Sequence, residues 1–525
     1  MTTSTGSSDF ADLSAVALAD RVARGDLSAV EAVEASITRI EAVNPTLNAV
    51  VVKRYDEARA EARAADERRA RGEPLGPLHG VPITVKECFD LVGAPATYGL
   101  PSRAQTLATA DDPYIARLRA AGAIIVGKTN VSQLLLYIES DNPLYGRTNN
   151  PWNLERTPGG SSGGQAAIIA AGGSPLGLGT DIGGSIRVPA AFCGVVGMKP
   201  TAGRVPDLIH FGVPLGQRAI VSQVGPLGRT VHDVALALEI INGGQAPGTE
   251  PPRPLGDPAT VDVASLRVAY YTDDGIMPVA QSVRRATVEA AGLLAARGAQ
   301  VTEWKPPTVE EASDIFYRTL SADGGAGAKA FLGRDPRDPR IGQLVALAGA
   351  SRGLLTVASG ALRLLGQRSQ AAIVRNFGYR DTLHYWRLVE AQMAYQRRFA
   401  QALDDDPGGP FDVIICPATA LPAIRHGDSR DLVTGGAYAT LYNVLGYPTG
   451  IVPVSTVRPG EEQPRKAGRD AAQRAARRAE EGSAGLPLAA QVVARPWREH
   501  VALAAMRAIE EAVNAGGGLP RPSAV

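Results

Sequence analysis

Apolar residues recur at helical spacing through the first seventy positions. Leu13, Val16, Ala17 and Leu18 open one amphipathic stretch, and Val30, Val33, Ile37 and Ile40 line a second, with Ser28 as its N-cap. This pattern predicts an N-terminal helical segment over 1–72 that packs on a larger unit spanning 73–515. The turn-rich EPLGPLHG separates the two, and the period then changes. Val81, Ile83 and Val85 alternate with Pro82, Thr84 and Lys86, which predicts a strand and turns Lys86 away from the apolar row. Residues 111–122 read as a helix, and AIIVGKTN as a buried strand and turn. From Gly159 to Pro200 the chain is dominated by Gly, Ser and Ala. Helices and strands alternate beyond it, as in an α/β protein. The last pair is the strand LPLAAQVVA and the helix REHVALAAMRAIEEAV. Residues 458–482 are charged and helix-prone and read as a surface insertion.

Composition narrows the possibilities. The chain has 525 residues, 45% of them apolar and 20% charged, as in an ordinary soluble globular protein. Lys plus Arg number 54 against 53 Asp plus Glu, so no charge excess points to nucleic acid. The 58 glycines and 38 prolines signal tight turns and close backbone approaches, because the apolar content is undiminished. Cys88, Cys193 and Cys416 fit neither a disulfide framework nor a zinc site, and the expected location is a reducing, cytoplasmic one. The start, MTTSTGSSDFADLS, lacks a basic region followed by an apolar run, and no stretch of about 20 apolar residues occurs.

The chemistry concentrates in two glycine clusters. Ser161 and Ser162 sit in PGGSSGG, and Ser185 sits in TDIGGSIR, 24 residues beyond Ser161. A nucleophile needs small neighbours, and an oxyanion needs backbone N–H groups aimed at one point, which Gly183 and Gly184 permit. A serine hydroxyl also needs a base. None of the six histidines (His79, His210, His232, His384, His426, His500) lies in this region. Lys86 lies in a strand-like segment, and burial can depress its pKa from about 10.4 towards neutrality at a cost of roughly 4 kcal/mol.

GGSSGG followed by GSPLGLGTDIGGSIRVPAAFCGVVGMKPT resembles the Gly/Ser signature of the amidase signature family, and GVPITVKE resembles the segment that carries its lysine. The signature core covers about 80–205. The resemblance implies a single α/β domain, with a mixed central sheet covered by helices on both faces. It implies a catalytic set of Lys86, Ser161 and Ser185, with a cis peptide bond before Ser161. The amides of Ile182, Gly183, Gly184 and Ser185 form the implied oxyanion hole. The implied reaction passes through an acyl-enzyme and uses no metal or organic cofactor. Asp181 and Arg187 read as an orienting pair, Ser162 as a helix cap or supporting hydroxyl, and Thr180 as a pocket residue.

GGAYATLYNVLGYPTGIVPVSTV, GLPLAAQVVARPWREHVAL and SDNPLYGRTNNPW resemble the fatty acid amide hydrolase branch. That resemblance implies that Leu135, Leu136 and Ile138 border an acyl channel, and that the substrate is an N-acyl amide with an apolar acyl group. Residues 341–380 hold five arginines and no acid, with Leu and Val at roughly helical spacing. They read either as an ordinary core helix pair or as an apolar lid or membrane-surface cap. Aryl or peptide amides, carbamates and the glutaminase of a tRNA-dependent amidotransferase remain alternatives. The expected partner is a small-molecule amide, with no nucleic acid; peripheral membrane contact and a homodimer stay open. Two other motif matches carry less. GAIIVGKT fits a P-loop, but its middle residues are strand-like. GGSSG fits a nucleophile elbow, but loop rather than strand precedes it.

Overall fold

The computed structural model describes residues 10–205, 216–242 and 253–525. His210 lies outside them. Eleven strands form one mixed sheet: β1 (Val50–Lys53), β2 (Pro82–Lys86), β3 (Ile124–Thr129), β4 (Leu176–Asp181), β5 (Val196–Lys199), β6 (Gln223–Gly228), β7 (Arg267–Tyr270), β8 (Gln300–Glu303), β9 (Val413–Pro417), β10 (Thr449–Thr456) and β11 (Pro487–Ala494). Their spatial order is β1-β3-β2-β4-β6-β5-β10-β11-β9-β7-β8. Helices cover both faces, as expected of this α/β architecture.

Strand β2 runs parallel to both β3 and β4, with Lys86 opposite Thr129 and Val85 opposite Leu178. Its five residues are all buried, because a central strand is covered on both sides. Val81, Ile83 and Val85 pack into the core beneath helices Val231–Asn242 and Glu499–Ala515. Thr84 and Lys86 face the other layer, where Gln165 Nε2 donates to Thr84 Oγ1 at 2.7 Å. The alternation read from the sequence therefore puts Lys86 on the layer that holds the glycine-rich segments. GAIIVGKT lies largely in strand β3, with the Lys128 amine on the Pro95 carbonyl, so no phosphate loop exists there.

The N-terminal helices Ala15–Arg24 and Ala29–Leu47 pack on the sheet layer, the second opened by a capping box of Ser28 and Glu31. The charged stretch 458–482 is exposed or half-exposed through residue 471, and its helix then buries one face. Its helix Ala471–Glu480 buries Ala472, Ala475, Ala476 and Ala479, and Asp470 Oδ2 accepts from Ser369 N at 2.9 Å. Its apolar face is made of alanines, small enough to be overlooked beside so many arginines.

Residues 341–380 form two helices of different exposure. Helix Pro339–Gly349 turns Ile341, Val345 and Ala348 inward. Helix Arg352–Leu364, bent 119° from it, leaves Leu354, Val357 and Leu364 exposed. Among the described residues no single helix is long and apolar enough to cross a membrane.

Candidate active site

Parallel strands β2 and β4 deliver Lys86 and the pair Thr180–Asp181 to the same sheet edge, the carboxyl ends where open α/β sheets place their ligands. Lys86 is wholly buried. Its Nζ donates to Ser161 Oγ at 2.8 Å and to Thr180 Oγ1 at 2.7 Å. Burial lowers its pKa from 10.5 to about 8, against the opposing pull of nearby acidic groups. Thr180, expected only as a pocket residue, is thus also a direct partner of the amine.

Ser161 is presented by a tightly packed turn whose Gly160–Ser161 peptide bond is cis. A Cβ on Gly160 would stand 2.6 Å from both Glu139 N and Tyr137 O, so backbone crowding alone demands glycine. Ser162 follows and opens helix Gly163–Ala170. Its N–H donates to Ser185 O at 3.2 Å, joining the two serine loops. Its hydroxyl makes no capping bond and has no partner among the described residues.

The turn that carries Ser185 is organised by Asp181. Asp181 Oδ1 accepts from Gly184 N at 2.9 Å, and Oδ2 accepts from Ile186 N at 3.2 Å. Arg187, wholly buried, donates to both carboxylate oxygens, at 2.9 and 3.0 Å. Burial alone would push the Asp181 carboxyl up. The Arg187 charge and the donors around it outweigh this and hold it ionised, well below the usual carboxylate range. Gly184 has a φ of +113°, and a Cβ there would lie 2.8 Å from Ala439 Cβ, so glycine is required. Because Asp181 takes the Gly184 N–H, that amide is not an open donor as expected. Among the described residues the amides of Ile182, Gly183 and Ser185 have no acceptor.

Sequence reading missed the residues that hold this pair from behind. Asn443, on helix Ala437–Leu445, donates from Nδ2 to Asp181 Oδ1 at 3.0 Å and accepts from Arg187 at 2.6 Å. Gln491 on β11 accepts from Arg187 at 3.0 Å. Nothing in local spacing pairs residues more than 250 positions apart.

Ser161, Thr180, Ile182, Gly183 and Ser185 line one cavity of about 430 Å³. Leu135, Leu136 and Ile138 line it too, where they were expected, and Leu135 holds a left-handed φ of 58°. A bulky residue keeps that conformation only where its surroundings impose it. Phe316, Leu344, Val345 and Phe377 continue the apolar wall, drawing in the inward face of the 341–380 segment. None of the five described histidines borders the cavity. His79 and His426 each use Nε2 on a backbone carbonyl, at 3.1 Å. Among the described residues no group of three or more His, Cys, Asp or Glu is placed to hold a metal ion.

An α/β sheet with this signature segment at the carboxyl ends of its parallel strands defines an enzyme that hydrolyses amide C–N bonds. The chain belongs to the amidase signature family: the family model described as Amidase matches residues 31–503. It is 34% identical over 510 residues to Fatty-acid amide hydrolase 1 of Sus scrofa, covering 95% of this chain and 85% of that one. It is 35% identical over 452 residues to a glutamyl-tRNA(Gln) amidotransferase chain of Roseiflexus castenholzii, covering 83% and 87% of the two chains. Among solved structures a fatty acid amide hydrolase superposes with a TM-score of 0.83 at 25% identity, over 97% of this chain and 86% of that one.

Proposed function

We propose that this enzyme hydrolyses N-acyl amides with an apolar acyl group, through an acyl-enzyme on Ser185, with Lys86 acting through Ser161 as the base. One observation carries the reading. A buried amine of depressed pKa lies 2.8 Å from the Ser161 hydroxyl, and Ser161 and Ser185 both line one mostly apolar cavity. Neutral Lys86 takes a proton from Ser161, which takes one from Ser185, and Ser185 Oγ attacks the carbonyl carbon. The oxyanion is met by the amides of Ile182, Gly183 and Ser185, while Gly184, tied to Asp181, stiffens the turn. The same route returns the proton to the leaving amine, and water then releases the acid. No metal or organic cofactor enters this scheme.

The likeness to the amidotransferase chain raises glutamine as a rival substrate. Glutamine carries an ammonium group, and among the described residues no carboxylate lines the cavity. Burying that charge unpaired is costly, so the lining favours an uncharged acyl group.

The exposed apolar face of helix Arg352–Leu364 supports a peripheral contact with a lipid surface from which such substrates would be drawn. Val357 is 71% exposed and Leu364 91%. Arg352 and Arg363 on this helix, and Arg368 just after it, are exposed as well.

A fluorophosphonate should label the chain at Ser185, and Ser185→Ala should abolish labelling. Across primary amides of rising chain length kcat/KM should climb. Labelling that survives in Ser185→Ala removes the nucleophile assignment, and a flat series removes the apolar acyl group.

A further inference from the structure

Helix Ala437–Leu445 touches the site at two depths. Gly436, just before it, and Thr440 on it line the cavity. One turn further along, Asn443 is buried behind the nucleophile turn. Its side-chain amide spans the Asp181–Arg187 pair, donating to the carboxylate at 3.0 Å and accepting from the guanidinium at 2.6 Å. The same helix offers the Ala439 carbonyl to Arg187 at 2.8 Å. Asp181 Oδ1, the oxygen Asn443 holds, is also the oxygen that takes the Gly184 N–H.

We infer that Asn443 is a positioning residue for the proposed hydrolysis: by pinning Asp181 and Arg187 it fixes the turn 182–186, and with it the direction in which the Gly183 and Ser185 amides point. The inference rests on Ser185 being the nucleophile. An amide is the group this place requires. Its N–H₂ end satisfies a carboxylate oxygen, and its carbonyl end satisfies an arginine N–H. An alanine would leave both buried partners short of a bond and free the turn to shift. Asn443 is not among the residues that line the cavity, so its loss should act on the transition state rather than on substrate binding.

The test uses the full-length enzyme and two variants. Asn443→Ala should lower kcat by about 10- to 100-fold, the scale of a small misplacement of reacting groups, with KM changed less than about twofold. A trifluoromethyl ketone of the preferred acyl chain, whose adduct places an oxyanion where the substrate's would develop, should lose affinity in step with kcat. The corresponding primary alcohol, uncharged and without a carbonyl oxygen, should bind as before. Asn443→Asp keeps the shape and guards against a variant that fails to fold. Protonated, its carboxyl can donate to Asp181 and accept from Arg187. Ionised, it opposes Asp181. Its activity relative to the parent enzyme should therefore fall as pH rises. A ratio that is constant with pH, or trifluoromethyl ketone and alcohol affinities that fall together or not at all, overturns the inference. A parent enzyme that a fluorophosphonate leaves unlabelled at Ser185 instead removes the proposed function, and this inference with it.

Discussion

An amine without solvent contact must either pair its charge or give it up at a depressed pKa. Lys86 takes the second course through burial, which sets its pKa at about 8, with two hydroxyls rather than a carboxylate as its hydrogen-bond partners. As the proposed base it must be neutral. The expected kcat/KM therefore rises with pH and levels off above about 8; a plateau reached already below pH 6 contradicts this. The same burial affects stability. Below pH 8 the amine is charged in both folded and unfolded chains, and folding bears a penalty of about 3 kcal/mol for desolvating it. The penalty shrinks between pH 8 and 10.5, where the unfolded chain binds the extra proton. Lys86→Met should accordingly lose about 10²- to 10⁴-fold in kcat. It should nonetheless unfold at a higher temperature than the parent at pH 6 to 7, by less than the full 3 kcal/mol because two hydroxyls lose a partner. At this scale the sequence was informative where chemistry is local. The glycine clusters around Ser161 and Ser185 and the strand face of Lys86 are legible from neighbouring residues, while the proposed roles of the three rest on the family resemblance. The hydrogen bond from Lys86 to Thr180 is not legible there, because it depends on the register between β2 and β4.

Single elements carry the cavity's walls. Helix Pro339–Gly349 is held at its start by Arg340, which pairs with Asp338 at 2.6 Å, Asp141 at 2.9 Å and Glu139 at 3.1 Å. Glu139 in turn accepts from Gly427 N and Ser429 N, so one buried cluster joins three parts of the wall. Arg340→Ala leaves these carboxylates without their cation and should destabilise the fold by about 3 kcal/mol. Limited proteolysis should then cut within 325–380 before it reaches the sheet; uniform cleavage would show that Arg340 does not hold this element. The outward helix invites a different measurement. Val357→Asp with Leu364→Glu should reduce sedimentation with anionic lipid vesicles and leave hydrolysis of a short, soluble amide unchanged. Unaltered sedimentation would exclude this face from the lipid contact. The sequence showed that 341–380 is amphipathic, but not which helix faces in. A bend of 119° between adjacent helices separates the two roles, and no periodicity count reports a bend.

At the scale of the whole molecule, the pairing of distant segments determines how the site is completed. Asn443 and Gln491 reach Arg187 across 256 and 304 residues of chain. They come together only once the sheet order has set β10 and β11 beside β5. The α/β class was legible because alternating helices and strands announce it. The order of eleven strands was not, since it follows from packing that no local pattern encodes. The overall arrangement also predicts what is dispensable. The five described histidines all lie away from the cavity, so replacing each by glutamine should leave kcat within about threefold, as expected of substitutions remote from the reacting groups. A histidine variant that abolishes turnover without unfolding would call for a different base.

The seclusion of Lys86 has one last consequence. With bulk water barred from the amine, a hydrogen taken up by the proposed base would have a single way out, back along the hydroxyls to whatever leaves. Buffer molecules cannot intercept it. The turnover rate should be indifferent to buffer concentration at fixed pH, and each cycle should return its borrowed hydrogen to the departing amine before the next carbonyl enters.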